Sequence, residues 1–364
     1  MGGSFSRLAG AIVALTFGVG SWAGTQGPAK ETDTAHPVDR YNVVWRTPSQ
    51  DSSGSMPIGN GDIGLNVWVE KDGDLLFYIG KTDAWSENAA LLKLGRVRIH
   101  LSPNPFRQGM PFLQTLRLAQ GEIEICAGGL GSQITLKLWV DANHPVIRVE
   151  AAGRQDFEVR ASLEVWRSRE REIQGQETAG IGQSANGPHR VVVYPDTILP
   201  AQGNRIIWFH RNNKSAWPAN MEVQGMESFM KQSSDPLLNR TFGGVIQGDG
   251  LVTENSMTLK SVEPGEQMTI SIYPLTKQTG TVKEWIEQVN HDIGRIKAQD
   301  LESARKAHRK WWRDFWDRSW IRVTGSEEAE TVSLGYTLQR FMNACGGRGD
   351  FPIKFNGGIF TVDA

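Results

Sequence analysis

The chain has 364 residues, a formal net charge of −1 and an isoelectric point of about 6.7. This length has room for two domains, and the balanced charge excludes recruitment of nucleic acid or an anionic membrane by a general basic field. The 40 Gly and 13 Trp residues are typical of a turn-rich β protein with large aromatic cores or flat apolar ligands.

The N-terminus predicts an export signal. Arg7 precedes the apolar run LAGAIVALTFGVG, and Ser21 and Ala23 supply small residues at the −3 and −1 positions of a cleavage site. The run is too short and too rich in Gly to span a membrane. We therefore expect residues 1–23 to be a signal peptide, and the mature protein to be secreted or periplasmic with no membrane partner.

Residues 38–280 predict a large antiparallel β-sandwich. Alternating runs such as LNVWVE, LLFYIG and ITLKLWVD recur between turn residues. VIRVEAAG and FEVRASLEVWR indicate two further strands. Arg167 continues the inward face of Leu163 and Val165, and we expect it to lie in water or against a further domain.

After this region the apolar residues recur at helical spacing. The first stripe consists of Trp285, Val289, Ile293 and Ile296. The pattern resumes at Leu301 and reaches HRKWWRDFWDRSW, so residues 281–320 predict an aromatic-rich linker helix. Trp312 and Trp316 are expected to attach this helix to its neighbouring domains.

Residues 326–364 begin an all-α region. Ser326 starts a helix whose apolar residues are Leu334, Leu338, Phe341 and Cys345, and Gly346-Gly347 ends it. No second helix follows, so we expect this apolar stripe to have nothing to pack against and the tail to be loosely held.

The stretch MPIGNGDIGLNVWVEKDGDLLFYIGKTDAW resembles the opening of glycoside hydrolase family 95, the α-L-fucosidase-like six-hairpin glycosidases. The matching residues are Pro57, Gly59, Asn60, Gly61, Gly64, Asp83 and Trp85. FPIKFNG and IFTVD are similar to stretches shared by members of the domain of unknown function 5703 family. The resemblance covers roughly residues 40–364. It implies an N-terminal β-sandwich before an (α/α)6 barrel, and hydrolysis of O-glycosidic bonds in glycans, with α-L-fucosides as the family-level substrate.

The chain departs from this resemblance at its end. A twelve-helix barrel needs roughly 250 residues, and 38 follow Ser326 (364 − 326). The general acid and base of the resembling enzymes lie in later barrel helices, so no catalytic residue is assigned. We expect a mainly β protein with C-terminal α structure, ending in the first helix of a truncated barrel and inactive by itself. A non-catalytic carbohydrate-binding or adhesion module is the alternative.

The candidate substrate-binding residues are Asp83, Trp85, Glu87, Asn60, Asp62 and Asn356. Asp83 and Glu87 are paired carboxylates beside an aromatic ring, but they lie on one short segment, whereas inverting glycosidases need carboxylates about 6.5–9.5 Å apart across the scissile bond. A contact role, with Asp83 accepting from sugar hydroxyls and Trp85 presenting a flat face, is favoured over catalysis. Stabilisation of the loop remains the other interpretation of Asp83 and Glu87.

Asn60 and Asp62 lie between glycines, which is also typical of a turn with no ligand. No His, Cys or acidic cluster has metal-ligand spacing, so neither a metal nor another cofactor is predicted. Cys126 and Cys345 are the two cysteines, and the sequence leaves their pairing open, as it does the oligomeric state.

Overall fold

The computed structural model describes residues 36–71, 73–175, 177–178, 190–351 and 358–362. The predicted signal peptide and the candidate contact Asn356 lie outside these residues, so both stay predictions. Among the described residues, no helix is long and apolar enough to cross a membrane.

Strands are the main regular structure of the described residues. The strands are β1 Val43–Trp45, β2 Met56–Gly59, β3 Ile63–Val69, β4 Leu75–Trp85, β5 Leu91–Ser102, β6 Phe112–Arg117, β7 Glu122–Ala127, β8 Ile134–Val140, β9 Ile147–Glu164, β10 Arg171–Glu172, β11 Val192–Val193, β12 Thr197–Ile198, β13 Arg205–Arg211, β14 Arg240–Gly248, β15 Leu251–Asn255, β16 Thr258–Ser261 and β17 Gly265–Gln278. Every pairing between these strands is antiparallel.

Strands β10 and β11 pair with each other in a separate two-stranded sheet, and the other strands form two layers that share β9. The first layer has the order β1-β6-β7-β8-β9-β17-β14-β13-β12, and the second has the order β2-β3-β4-β5-β9-β16-β15. Apolar residues from both layers form one buried cluster that includes Leu65, Phe77, Leu136 and Ile270. The predicted antiparallel sandwich, mainly β with C-terminal helices, is confirmed.

Strand β9 runs through both layers as one continuous strand. The sequence predicted two separate strands here, VIRVEAAG and FEVRASLEVWR. The first half of β9 pairs with β8 and β17, and its second half pairs with β5 and β16. Arg154, Gln155 and Asp156 lie exposed where the strand crosses between the layers. These exposed polar residues resemble a turn in the sequence, although the strand continues through them.

Three of the four α-helices described follow the last strand of the sandwich, and the other lies between β13 and β14. They are α1 Trp217–Val223, α2 Val282–Lys297, α3 Leu301–Arg318 and α4 Glu327–Gly346, with short 3-10 helices at Pro37–Tyr41, Ser52–Gly54, Glu227–Lys231 and Gly358–Phe360. The predicted single linker helix is thus two helices. Thr281 caps α2 through Glu284 N, and Asp300 caps α3 through Ser303 N.

Helix α2 packs on the outer face of the first layer. Its predicted stripe is buried in a second apolar cluster, together with Ile207, Phe209, Val245 and Tyr273 of the sheet. These sheet residues alternate with neighbours that face the main core, as the period of a strand requires. The sheet therefore buries apolar side chains on both of its faces.

Helix α3 attaches to the sandwich through the two predicted tryptophans. Trp316 donates from Nε1 to the main-chain oxygen of Leu118 at 2.8 Å, and Trp312 stacks on Phe341 of α4 with ring centroids 5.1 Å apart. Both tryptophan rings are fully buried.

Helix α4 is held more firmly than the sequence predicted. Leu334 is exposed, but Phe341, Ala344 and Cys345 belong to the main apolar core. The expectation that the whole stripe lacks a partner is wrong for its second half, because that half packs on α3 and on the sandwich. Cys126 and Cys345 are free thiols.

Candidate functional site

The loop between β2 and β3 is fixed by its own asparagine. Asn60 Oδ1 accepts hydrogen bonds from Asp62 N at 3.1 Å and Ile63 N at 2.8 Å, and Asn60 Nδ2 donates to Asp141 O at 2.9 Å. Gly61 has φ +98°, in the left-handed region that favours glycine. The side-chain amide of Asn60 therefore stabilises the loop.

This loop also anchors the end of α4. Gly61 N donates to Cys345 O, and Gly61 O accepts from Arg348 N and Gly349 N, each at 2.8 Å. A β-carbon on Gly59 would lie 2.5 Å from Cys345 O. The Gly-Asn-Gly motif is thus a contact between hairpin and helix, which explains its small residues.

The candidates Asp62 and Asp83 are brought together by a buried lysine. Lys81 Nζ lies 2.8 Å from Asp62 Oδ2 and 2.8 Å from Asp83 Oδ1. Burial lowers the pKa of Lys81, but the two carboxylates outweigh it and the net pKa is raised. Arg240 adds a hydrogen bond to Asp83 O at 3.1 Å. The carboxylates of Asp62 and Asp83 are thus paired with Lys81 within the protein.

Trp85 is the last residue of β4, and Glu87 follows it by two residues. Their hydrogen-bond partners differ from those of Asp62, Lys81 and Asp83. Trp85 is half-buried and donates from Nε1 to Thr82 O at 3.1 Å. Glu87 is buried, and its Oε2 lies 2.8 Å from His210 Nε2. Asp83 and Glu87, paired in the sequence, therefore have different partners.

Glu87 ends a buried chain of charged groups. His210 Nδ1 lies 3.0 Å from Asp196 Oδ1, and that oxygen also accepts from Arg167 Nε at 2.8 Å. Burial lowers the pKa of His210, but hydrogen bonds to Asp196 and Glu87 outweigh it, so the pKa is raised. The chain of charges runs Arg167–Asp196–His210–Glu87.

Sequence reasoning proposed only Glu87 of these four residues as part of a site. Arg167 was expected in water or against a further domain, but it is 7% exposed, and Asp196 supplies its counter-charge. The signal for His210 was its place in RIIWFHR, where the neighbouring strand residues are apolar. Nothing in the sequence linked these residues to Asp196.

Both ends of the charged chain line a cavity of about 410 Å³. Trp166 lies at this cavity and is 47% exposed, with Tyr78 edge-on against it at 5.8 Å. Arg171 and Glu177 also line it and are joined by hydrogen bonds of 2.7 and 2.5 Å. The cavity combines an exposed aromatic ring with directional polar groups. We call it the Trp166 cavity.

In the part of the chain that the structure describes, no group of three His, Cys, Asp or Glu side chains is placed to hold a metal ion. The arrangement therefore offers hydrogen bonding, charge and an aromatic face as its chemistry.

Comparisons with known proteins place the sandwich in a family. The family model described as a domain of unknown function, DUF5703, matches residues 44–321. A solved structure described as "Putative kojibiose phosphorylase from human microbiome" is 12% identical with a TM-score of 0.44, and the match covers 83% of this chain and 41% of that one. This chain thus spans less than half the length of that protein. Among the curated proteins, none matches.

Proposed function

The chain belongs to the DUF5703 family, and on this premise we propose that it is the N-terminal part of an exported, glycan-acting protein. In this proposal the intact protein hydrolyses O-glycosidic bonds, and α-L-fucosides are the first substrates to test. The chain itself supplies carbohydrate contacts at the Trp166 cavity, and the general acid and base lie elsewhere in the intact protein.

The observation that carries the proposal is the exposed ring of Trp166 at a cavity with polar walls. A sugar ring presents an apolar face of C–H groups and an edge of hydroxyls. An indole ring covers the C–H face, and carboxylate and guanidinium groups bind the hydroxyls. Trp166 would stack on the sugar, while Glu177 and Arg171 at the exposed side bind hydroxyls.

The buried charges behind the cavity support the same assignment. Arg167, Asp196, His210 and Glu87 are each at least nine-tenths buried in their side chains. Burying such a chain rarely gains folding stability over an apolar replacement, and perturbed titratable groups are found preferentially at functional sites. Here the chain fixes the positions of Glu87 and Arg167 at the cavity wall.

One observation favours the alternative, a carbohydrate-binding or adhesion module without chemistry. Both carboxylates that line the cavity have cationic partners: Glu87 has His210, and Glu177 has Arg171. A carboxylate held in this way is already an acceptor of hydrogen bonds, which suits contacts to sugar hydroxyls. Turnover by the intact protein separates the two functions.

The test is carbohydrate binding by calorimetry, with 2′-fucosyllactose as the first probe. Trp166→Ala is expected to weaken binding about tenfold or more, since truncation of a tryptophan at the centre of a binding site commonly costs about 2 kcal/mol. Phe229→Ala is the matched control, because Phe229 is 52% exposed and does not line the cavity. Equal binding by both variants would remove the Trp166 cavity from the proposal.

Export is proposed on the N-terminal sequence. The mature protein is expected to begin near Gly24, which mass spectrometry of secreted material measures directly. An intact Met1 terminus in that material would contradict the assignment.

A further inference from the structure

A second cavity, of about 300 Å³, lies on the outer face of the first layer, beside the turn between α2 and α3. None of its lining residues lines the Trp166 cavity. Its wall residues are Arg148, Gln247, Ser271 and Tyr273, and Asp249, Lys297 and Asp300 lie at its exposed side. We call it the Arg148 cavity.

Its wall is a row of polar side chains across three neighbouring strands. Arg148 of β9 is paired with Ser271 of β17, and Ser271 is paired with Gln247 of β14. Their neighbours Ile147, Ile270, Ile272 and Ile246 face the main core, so the row faces the helices. On the same face, Val245 and Ile207 are apolar and belong to the cluster that contains Trp285 of α2.

The row is buried and incompletely paired. Arg148 is 7% exposed, Gln247 8% and Tyr273 1%. Among the described residues, Arg148 Nε, Gln247 Oε1 and the Tyr273 hydroxyl have no hydrogen-bond partner. Arg148 donates from Nη1 to Ser271 Oγ, and its guanidinium lies 6.0 Å from the Tyr273 ring centroid. No described carboxylate lies within ion-pair distance of Arg148.

A buried guanidinium without a counter-charge is costly, and so is each buried polar atom without a partner. A ligand that removes these costs must bring a negative charge for Arg148 and a hydrogen-bond donor for Gln247 Oε1. The carboxylates of Asp249 and Asp300 at the exposed side are acceptors, so the part of the ligand near them must also carry donors. An inorganic anion would leave much of the volume empty, and a neutral sugar would leave Arg148 unpaired.

We propose that the Arg148 cavity binds a monosaccharide-sized hydroxy acid of the uronate type. Its carboxylate pairs with Arg148, and its hydroxyls donate to Gln247, Asp249 and Asp300. A volume of about 300 Å³ is at the lower end of the range for small-molecule sites, which suits a single sugar acid. The proposal does not depend on the function proposed for the Trp166 cavity.

Calorimetric titration of the full chain with D-glucuronate, D-glucose and acetate tests the proposal. Glucuronate is expected to bind about tenfold or more tightly than either of the others, because glucose lacks the charge and acetate lacks the hydroxyls. Failure of glucuronate to bind at millimolar concentration, or equal binding of glucose, would overturn it. Binding of acetate as tight as that of glucuronate would also overturn the hydroxy-acid assignment.

Two variants assign the binding to this cavity. Gln247→Glu keeps the side-chain shape and adds a carboxylate to the cavity wall, which repels the carboxylate of glucuronate, so it is expected to abolish glucuronate binding while the melting temperature stays unchanged or rises. Arg148→Gln is expected to lose binding as well. If Arg148→Gln does not fold, Gln247→Glu alone decides the test. Arg154→Gln, an exposed position on the same strand, is the matched control and should bind normally. Normal binding by Gln247→Glu would refute the site.

Discussion

The main-chain nitrogen of Gly61 donates a hydrogen bond of 2.8 Å to the main-chain oxygen of Cys345. This contact joins the β2–β3 hairpin, near the start of the described chain, to the last turn of α4. Carbonyl groups in the last turn of a helix lack intrahelical partners, so the hairpin completes the end of the helix. The sandwich and α4 are therefore expected to unfold together.

Gly59→Ala tests this coupling. The added β-carbon would lie 2.5 Å from Cys345 O and 2.6 Å from Ile63 O, so the hairpin and helix must separate, at an expected cost of about 1–3 kcal/mol. Gly335→Ala in α4 is the control, because a β-carbon added there would have no atom within 4 Å and helix propensity should stabilise the variant by up to about 1 kcal/mol. Chemical denaturation measures both changes. Faster hydrogen exchange over 327–346 is expected in the first variant alone.

Trp312→Ala is expected to cost about 3–5 kcal/mol of unfolding free energy, as large core truncations do. The ring is fully buried and stacks on Phe341. Trp166→Ala makes the same substitution at a ring that is 47% exposed and should cost about 1 kcal/mol or less. Comparable losses in the two variants would mean that α3 is not fixed by Trp312.

His308 makes the protein sensitive to acid. Burial lowers its pKa to about 3, so the folded state keeps the imidazole neutral while the unfolded chain takes up a proton below its ordinary value of 6.5. Its contribution to stability is complete above pH 6.5 and is lost as the pH falls towards 3, at about 1.4 kcal/mol per pH unit.

His308→Gln isolates this effect, since glutamine retains an acceptor for Ala142 N, which now donates to His308 Nδ1 at 3.1 Å. The difference in unfolding free energy between the two proteins is the quantity to measure across this range. A difference independent of pH would show that His308 does not titrate as described.

His210 should respond in the opposite direction. Its pKa is raised by Asp196 and Glu87 against the effect of burial, so the folded state holds the proton more tightly than the unfolded chain. The contribution is complete below pH 6.5 and is lost as the pH rises through the raised pKa. Relative to His210→Asn, the wild type is expected to lose unfolding free energy as the pH rises above 6.5. NMR titration of the imidazole provides the independent check.

The strands could be predicted because apolar and polar residues alternate along them, and this alternation indicates which face of the sheet is buried. The continuity of β9 could not, since the polar residues at its crossing between layers resemble a turn. For the candidate site, Glu87 was found from its place beside Trp85. Its partner His210 lies on β13, far away in sequence, and a single sequence contains no record of which strands become neighbours. Asn60 was found as well, but its role as an anchor depends on Asp141, which only the fold brings close.

The chain is expected to show no turnover of aryl α-L-fucosides or other aryl glycosides. Glycoside hydrolysis needs a protonated carboxyl group at the leaving oxygen and a second carboxylate on the other side of the ring. In the Trp166 cavity, Glu87 is bound to His210 and Asn88, and Glu177 is bound to Arg171 through both of its oxygens. Both carboxylates are therefore engaged as hydrogen-bond acceptors by partners within the protein.

Turnover assays of the purified chain check this, with Glu87→Gln and Asp83→Asn as variants. If wild-type turnover is measurable and Glu87→Gln abolishes it, the cavity is a complete active site and the assignment of a binding role is wrong. If Asp83→Asn abolishes it instead, the reaction occurs at the Lys81 cluster. We expect neither, because Asp83 is held by Lys81 and Glu87 by His210.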